Sequence, residues 1–235
     1  MKVLGIDTTT EMLCIGVGDA DKEMEYNLRV GRKHAALCAL TVERIISSLG
    51  WKMRDIDYFA CGLGPGSFTG IRTGVAAAKG MAWALNKPVA GIPSLDILAR
   101  NALETRELFD EEAPGNGRRV IAVTDAKRGL LYAGVYKQQG TGLRRILPYL
   151  LASPPDLLKR VKDGSIILGD GIPLFRDALR GSGRRFRLLD KDYWRLQARH
   201  LLALAAEKIA SGELSDALRL KPVYLYPKEC QIRKF

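Results

Sequence analysis

Apolar runs and helical stripes alternate over the first hundred residues in an order that predicts one α/β lobe. The stretch 34–49 carries apolar residues at helical spacing and is closed by Gly50. A glycine-rich loop then leads into a helix of small residues over about 71–85. Strands are predicted at Val3–Asp7, Met12–Asp19, near Glu25–Val30 and at Asp57–Leu63. The predicted order of elements is therefore βββαβα.

The second half repeats this order, which predicts a second lobe of the same kind. Its predicted strands are 120–125, 130–137, about 143–150 and 165–168, and its predicted helices are 155–161 and a segment ending near Leu179. A further helix is predicted at Gln197–Ala210, ended by Gly212. An acidic run and the turn residues 114–117 predict a seam between the lobes. We therefore assign residues 1–103 to an N-terminal lobe and 118–235 to a C-terminal lobe, whose last segment can pack back on the first.

The composition is that of a folded α/β protein with an uneven charge. The 235 residues are 47% hydrophobic and 27% charged, which argues against disorder. No apolar run reaches 18 residues, so no transmembrane helix is predicted. The four cysteines show no CxxC pair, which favours a reduced, cytoplasmic setting over a disulfide framework.

Most of the positive charge lies in the second half of the chain. The formal net charge is +11, and residues 101–235 contribute +9 of it. Such a surface attracts nucleic acid or an acidic protein, and it is also typical of a solvated face that keeps a protein dissolved. If it contacts RNA, we expect Arg184, Arg185 and Arg187 to contribute.

Corresponding strands in the two halves of the chain end in, or are followed by, the same types of residue. The first strand of each half ends in an aspartate, and the fourth is followed by glycines. Carboxylates and backbone N–H groups at strand ends can hold a nucleotide and its metal, although the same residues also make ordinary turns. The candidate nucleotide-binding residues are Asp7, Thr8, Thr9, Asp125, Gly169 and Gly171.

This duplicated arrangement resembles the actin-like ATPase superfamily. The resemblance implies two ribonuclease-H-like lobes with mixed central sheets, phosphate motifs at the two strand–turn segments, and a late glycine pair that touches adenosine. We predict no firmly bound cofactor. ATP or ADP with magnesium can bind at these turns, but we expect weak affinity because a scaffold can keep such turns for folding alone.

The glycine-rich segment 61–74 is neither of the common phosphate loops. Gly70 is followed by Ile71 and Arg72 rather than by the lysine of a Walker loop, and no glycine completes a GxGxxG spacing. Its hydroxyls and helix start can hold an anion, or they can form a rigid turn.

Several segments together resemble the bacterial TsaB family, also called YeaZ. They are 64–74 with 76–82, Leu4–Thr9, Lys33-His34, Ile92–Asp96, Asp125–Tyr132 and Lys221–Leu225. The resemblance implies a subunit of the machinery that forms N6-threonylcarbamoyladenosine in the anticodon loop of tRNAs reading ANN codons. The implied partners are the catalytic paralogue TsaD, TsaE through the complex, and tRNA in the assembled complex. Whether the isolated chain forms a homodimer is left open by the sequence, and we predict no membrane partner.

The same resemblance implies that this chain is not an enzyme on its own. TsaD holds a metal through an HxxxH pair after the fifth strand of its first lobe, and Ser94 and Leu98 stand at those positions here. Leucine cannot ligate a metal, and the chain has only two histidines. We therefore predict no metal site and no catalytic residue. The alternative is a stand-alone ATPase or kinase of the actin-like fold that uses Asp7 and Asp125.

The two helices of the first lobe are predicted to pair with a partner. The small residues of the second helix allow close approach, and the family resemblance implies a four-helix bundle with TsaD. Packing on the protein's own sheet is the competing interpretation. The predicted interface residues are His34, Cys38, Val42, Ile45, Gly74, Ala77, Ala78 and Met81.

Overall fold

The computed structural model describes residues 1–31, 33–105 and 118–227. They form two compact units, one made of Met1–Ile97 with Leu196–Val223, the other of Leu98–Arg195 with the segment that begins at Tyr224. The predicted seam at 114–117 and Cys230 lie outside the described residues. In the part of the chain that is described, no helix is long and apolar enough to span a membrane.

The first unit is built on a five-stranded mixed sheet in the order β3-β2-β1-β4-β5. Strands β1 to β3 pair antiparallel, and β4 and β5 continue the sheet parallel to β1. The strands are β1 Val3–Asp7, β2 Met12–Gly18, β3 Glu23–Arg29, β4 Tyr58–Gly62 and β5 Val89–Ile92. The helices are α1 His34–Ser48, α2 Phe68–Ala84 and the short α3 Ser94–Ala99. Every predicted element is present, and β5 and α3 extend the predicted order.

The second unit has a six-stranded sheet, in which five strands follow the order β11-β10-β6-β7-β8 and the sixth, β9, also pairs with β7. Here β6 to β8 pair antiparallel, while β10 and β11 add parallel to β6. The strands are β6 Arg119–Lys127, β7 Leu130–Gln139, β8 Gly142–Arg145, β9 Leu150–Ala152, β10 Ile166–Leu168 and β11 Arg187–Leu188, and the helices are α4 Pro154–Leu158 and α5 Ile172–Arg180. The strand predicted over 143–150 is in fact two short strands. Two mixed sheets of this order confirm the predicted pair of ribonuclease-H-like lobes.

The last helix, α6 Ala198–Ser211, belongs to the first unit, although the boundary at 118 assigned it to the second lobe. Its buried Leu201 and Leu202 lie against Gly5 and Gly16, where an added Cβ would come within 3.0 and 2.9 Å of these leucine side chains. The glycines on β1 and β2 thus leave room for a helix on the sheet.

Polar contacts from β3 fix the start of α6 in place. Asn27 accepts the N–H of Ala198 at 2.9 Å, and Glu25 accepts the N–H of Arg199 at 2.8 Å and its guanidinium at 2.9 Å. These bonds satisfy N–H groups that a helix start leaves without a partner. Residues 196–223 therefore form part of the first unit, an arrangement that the sequence had left open for the last segment of the chain.

Candidate functional site

The turn after β1 is enclosed within the first unit. Asp7 and Thr8 have no exposed surface, and Thr9 is 1% exposed. One carboxylate oxygen of Asp7 accepts the Thr9 backbone N–H at 2.7 Å and the Thr9 hydroxyl at 2.8 Å. The other accepts the hydroxyl of Ser94 at 2.8 Å. The carboxylate is thus held by three donors from its own chain.

Ser94 ties this turn to the glycine-rich segment. It begins α3, directly after β5, and its side chain is buried. Its Oγ accepts the N–H of Gly64 at 3.2 Å, and its own N–H donates to the Gly64 carbonyl at 2.8 Å. The sequence identified Ser94 only as a missing metal ligand, and its bond to Asp7 was not predicted.

The glycine-rich segment packs directly over the β1 turn. Thr8 donates its hydroxyl to the Gly70 carbonyl at 2.6 Å, and Ser67 donates its N–H to the Thr9 carbonyl at 2.7 Å. A Cβ on Gly62 would overlap the Asp7 carboxylate, and one on Gly70 would overlap the Thr8 carbonyl oxygen. The glycines are therefore required because the two segments approach each other so closely.

Because this turn is enclosed, the prediction that Asp7, Thr8 and Thr9 bind a nucleotide and its metal can be tested against the structure. A magnesium ion needs a carboxylate oxygen that can leave its other partners and face water or phosphate. Asp7 presents no exposed oxygen, and the space over Thr8 and Thr9 is filled by the chain's own glycine-rich segment. In this structure these residues do not fit a magnesium-bound phosphate group.

Burial sets the proton affinity of the groups around this turn. It raises the pKa of Asp7 above its ordinary value, and the hydrogen bonds from Thr9 and Ser94 offset only part of that effect. Burial also raises the pKa of the Cys14 and Cys61 thiols well above the ordinary value, with a contribution from the nearby Asp7 charge. Both thiols are thereby kept protonated and unreactive.

The raised pKa of Asp7 predicts a pH dependence of stability. Because the folded state holds this proton more tightly than the unfolded chain, stability should fall as the pH rises from the unfolded value of 3.8 through the folded pKa. The slope is at most about 1.4 kcal/mol per pH unit for one proton. Asp7→Asn should gain stability relative to the wild type across that window, as measured by urea unfolding at a series of pH values. The exposed Asp21→Asn should keep the wild-type profile, and an equal profile in the Asp7 variant would refute the assignment.

The candidate residues of the second unit form a more open turn. The Asp125 side chain is 32% exposed and accepts both the backbone N–H and the ammonium of Lys127 at 2.7 Å. Partial burial raises the pKa of Asp125, but the hydrogen bonds from Lys127 outweigh it and the net shift is downward. This carboxylate is ionised at neutral pH and already carries a cationic partner.

Gly169 and Gly171 shape the chain between β10 and α5. Gly169 has a φ of +115°, and a Cβ there would overlap the Val123 carbonyl oxygen. Gly171 donates its N–H to the same carbonyl at 3.2 Å. The pair therefore meets a backbone requirement of this turn, and its contact with adenosine stays a prediction.

The two positions where the family resemblance puts the metal-binding pair of TsaD are both buried. Ser94 is 3% exposed and Leu98 is 1% exposed. Within residues 1–31, 33–105 and 118–227, no three His, Cys, Asp or Glu side chains lie close enough to hold a metal ion.

Most of the residues predicted for a partner interface instead lie in the core of the first unit. The six that are buried are His34, Cys38, Val42, Ile45, Gly74 and Ala78, whereas Ala77 and Met81 are partly buried. An amphipathic helix turns its apolar stripe to its own sheet, so this stripe is unavailable to a partner. These six residues are therefore buried within this chain rather than exposed to a partner, and the pairing of the two helices stays a prediction.

The opposite side of α1 and α2 carries exposed apolar and small side chains. Trp83 is 70% exposed, Leu40 51% and Phe68 39%. Ala76 and Gly80 are exposed between Phe68 and Trp83 on α2. We call these five residues the helix face. A signal for it was present in the sequence, because Leu40 and Trp83 fall outside the buried helical stripe.

Comparisons with known proteins agree with one family. Residues 28–170, more than half of the chain, match the family model for TsaD, the tRNA N6-adenosine threonylcarbamoyltransferase. The chain is 26% identical to the tRNA threonylcarbamoyladenosine biosynthesis protein TsaB of Escherichia coli, over 96% of this chain and 94% of that protein. It is 27% identical to TsaB of Bacillus subtilis, over 76% and 75% of the two chains.

The fold of this chain is also similar to that of a solved structure. YeaZ from Pseudomonas aeruginosa superposes with a TM-score of 0.80 at 26% identity, covering 95% of this chain and 99% of that one. The chain therefore belongs to the TsaB (YeaZ) family of tRNA threonylcarbamoyladenosine biosynthesis proteins, which shares its family model with the TsaD threonylcarbamoyltransferases.

Proposed function

We propose that this chain is a non-catalytic subunit that pairs with TsaD in the complex forming N6-threonylcarbamoyladenosine in the anticodon loop of tRNAs reading ANN codons. The main support for this proposal is the hydrogen bond between the buried Ser94 hydroxyl and Asp7. Where the family resemblance puts a metal-binding imidazole of TsaD, this chain has a buried hydroxyl that donates to Asp7 at 2.8 Å. The second imidazole position is held by the buried Leu98. The chain therefore supports its partner's chemistry without a metal of its own.

The helix face supports the pairing half of the proposal. A tryptophan with 70% of its surface exposed is costly in water and suits the centre of an interface. The family model of the transferase matches residues 28–170, so the partner carries elements related to α1 and α2. Two related faces can meet about an approximate two-fold axis, as isologous interfaces do. The same face would form a homodimer when the chain is alone, and TsaE would join through the assembled complex.

The stand-alone kinase or ATPase is the competing function. Its chemistry needs an accessible carboxylate for the metal, and the enclosed Asp7 offers none. The features of the first unit therefore favour the subunit over the enzyme. ATP turnover with magnesium and candidate sugars distinguishes the two, since sustained turnover by the isolated chain would favour the kinase.

Pairing is tested by measuring mass in solution. The chain and its cognate TsaD, mixed at equal concentration, should elute as one species whose light-scattering mass equals the sum of one copy of each. Separate elution of the two proteins across the micromolar range would contradict the proposal.

A further inference from the structure

Five cationic side chains of the second unit are exposed around α4, α5 and the segment that follows α5. They are Arg160, Lys162, Arg176, Arg180 and Arg185, and we call them the basic surface. Among the residues that the structure describes, none of the five forms an ion pair with a carboxylate. Lys159 is different, because its ammonium lies 2.7 Å from Asp156. The five charges are thus available to an external anion.

Arg184 is not one of them, although the sequence suggested it for RNA contact. Its guanidinium donates to the carbonyl of Val161 at 2.6 Å and to that of Leu158 at 3.0 Å. Leu158 is the last residue of α4, and its carbonyl also accepts the N–H of Val161 at 3.3 Å. Val161 lies three residues beyond the end of the helix. Arg184 therefore fastens the 181–187 segment to the end of α4, next to Arg160 and Lys162.

The backbone around Arg185 is fixed in the same way. Its N–H donates to Asp163 at 2.7 Å, and its carbonyl accepts the N–H of Gly164 at 2.8 Å. Strand β11 then continues parallel to β10, with Arg187 opposite Ile166. The Arg185 side chain is left exposed on a backbone that is held on both sides.

Helix α5 supplies the other two arginines. It buries Ile172, Phe175 and Leu179 and packs against α4, while Arg176 and Arg180, four residues apart, are exposed on its outer side. Side chains at this spacing share one helical face. The cations of the basic surface are thus exposed on two packed helices, α4 and α5, and on the 181–187 segment that is hydrogen-bonded beside α4.

We propose that the basic surface binds the phosphate backbone of tRNA. This inference rests on the proposed function, because that function supplies the RNA. Four of the five side chains are guanidinium groups, which bind phosphate oxygens in pairs and lose less freedom on binding than an ammonium does. Exposed carboxylates of Asp156, Asp163 and Asp177 lie near these cations in the sequence, but in the described chain none of them forms an ion pair with one of the five. The hydrogen bonds of Arg184 and Arg185 hold the 181–187 segment against the residues that end and follow α4 before any RNA binds.

The test is a salt titration of the full chain with an unmodified transcript of a tRNA that reads an ANN codon. The variant carries Arg160→Gln, Arg176→Gln and Arg180→Gln. The wild type, with five phosphate contacts, should lose roughly 100-fold in affinity for tRNA between 50 and 200 mM salt. The triple variant keeps two of these contacts, so its affinity should fall less than about 10-fold over the same range. A control with Lys22→Gln, Lys52→Gln and Arg54→Gln, which removes the same charge from the first unit, should keep the wild-type slope.

The outcomes separate this inference from the proposed function. Pairing of each variant with TsaD is measured independently by its mass in solution, and it should be unchanged, since the substitutions lie in the second unit. A slope in the triple variant equal to that of the wild type, or equal losses in the control, would overturn the inference. So would displacement of the tRNA by polyglutamate at the same charge concentration, because the surface would then accept an acidic polypeptide as readily as RNA.

Discussion

A methyl group added at Gly70 should destabilise the protein by about 3 kcal/mol, whereas the same methyl group at Gly80 should stabilise it by about 1 kcal/mol. Both glycines lie in α2, Phe68–Ala84. A Cβ on Gly70 would overlap the carbonyl oxygen of Thr8, a backbone atom of the enclosed turn that cannot rotate away. At Gly80 nothing lies within 4 Å of the added atom, so alanine brings only its higher helix propensity.

The comparison is made by urea unfolding of Gly70→Ala and Gly80→Ala beside the wild type. Because the two changes add the same atom to the same helix, the difference between them isolates the contact with the β1 turn. Equal stability of the two variants would mean that the glycine-rich segment does not pack on Thr8 as described.

Replacing Ala77 with arginine should abolish pairing with TsaD while leaving the monomer folded. Ala77 is partly exposed and lies beside Ala76 of the helix face, whereas Ala78 has no exposed surface. A guanidinium placed in a closely packed helix interface would lose its water without gaining a carboxylate, which costs several kcal/mol. We expect the dissociation constant to rise at least about 100-fold.

The matched control is Ala210→Arg, which introduces the same side chain at an exposed position of α6. It should pair as the wild type does, and both variants should unfold at the wild-type urea concentration. If Ala77→Arg pairs normally, the interface lies elsewhere than on α1 and α2.

The order of strands and helices could be predicted from the sequence because the repeating pattern is strong. Buried runs such as β1 and β4, and the stripe of α1, lie within a residue or two of their predicted bounds. The division of 143–150 into two strands was missed because the apolar residues on both sides suggest one strand. A signal was present, since Pro148 at the break has no N–H to donate to a strand ladder. Packing of the last segment on the first lobe was only left open by the sequence, because the place of α6 depends on Gly5 and Gly16 of distant strands.

The side chains of the site were predicted less well, for a physical reason. A stripe of apolar residues shows that one side of a helix is buried but not whether its own sheet or a partner covers it. His34 and Val42 were therefore assigned to an interface and instead lie in the core. Asp7 was recognised as a carboxylate at a strand end, yet its enclosure depends on Ser94, 87 residues away.

The most direct test of a non-catalytic subunit is the amount of N6-threonylcarbamoyladenosine formed in tRNA, measured by mass spectrometry of the digested nucleosides. The purified chain is supplied with threonylcarbamoyl-adenylate and an unmodified tRNA, first alone and then with its cognate TsaD. We expect no modified adenosine from the chain alone and sustained formation once TsaD is present. Modified adenosine above the enzyme-free blank in the reaction that contains only this chain would contradict the account.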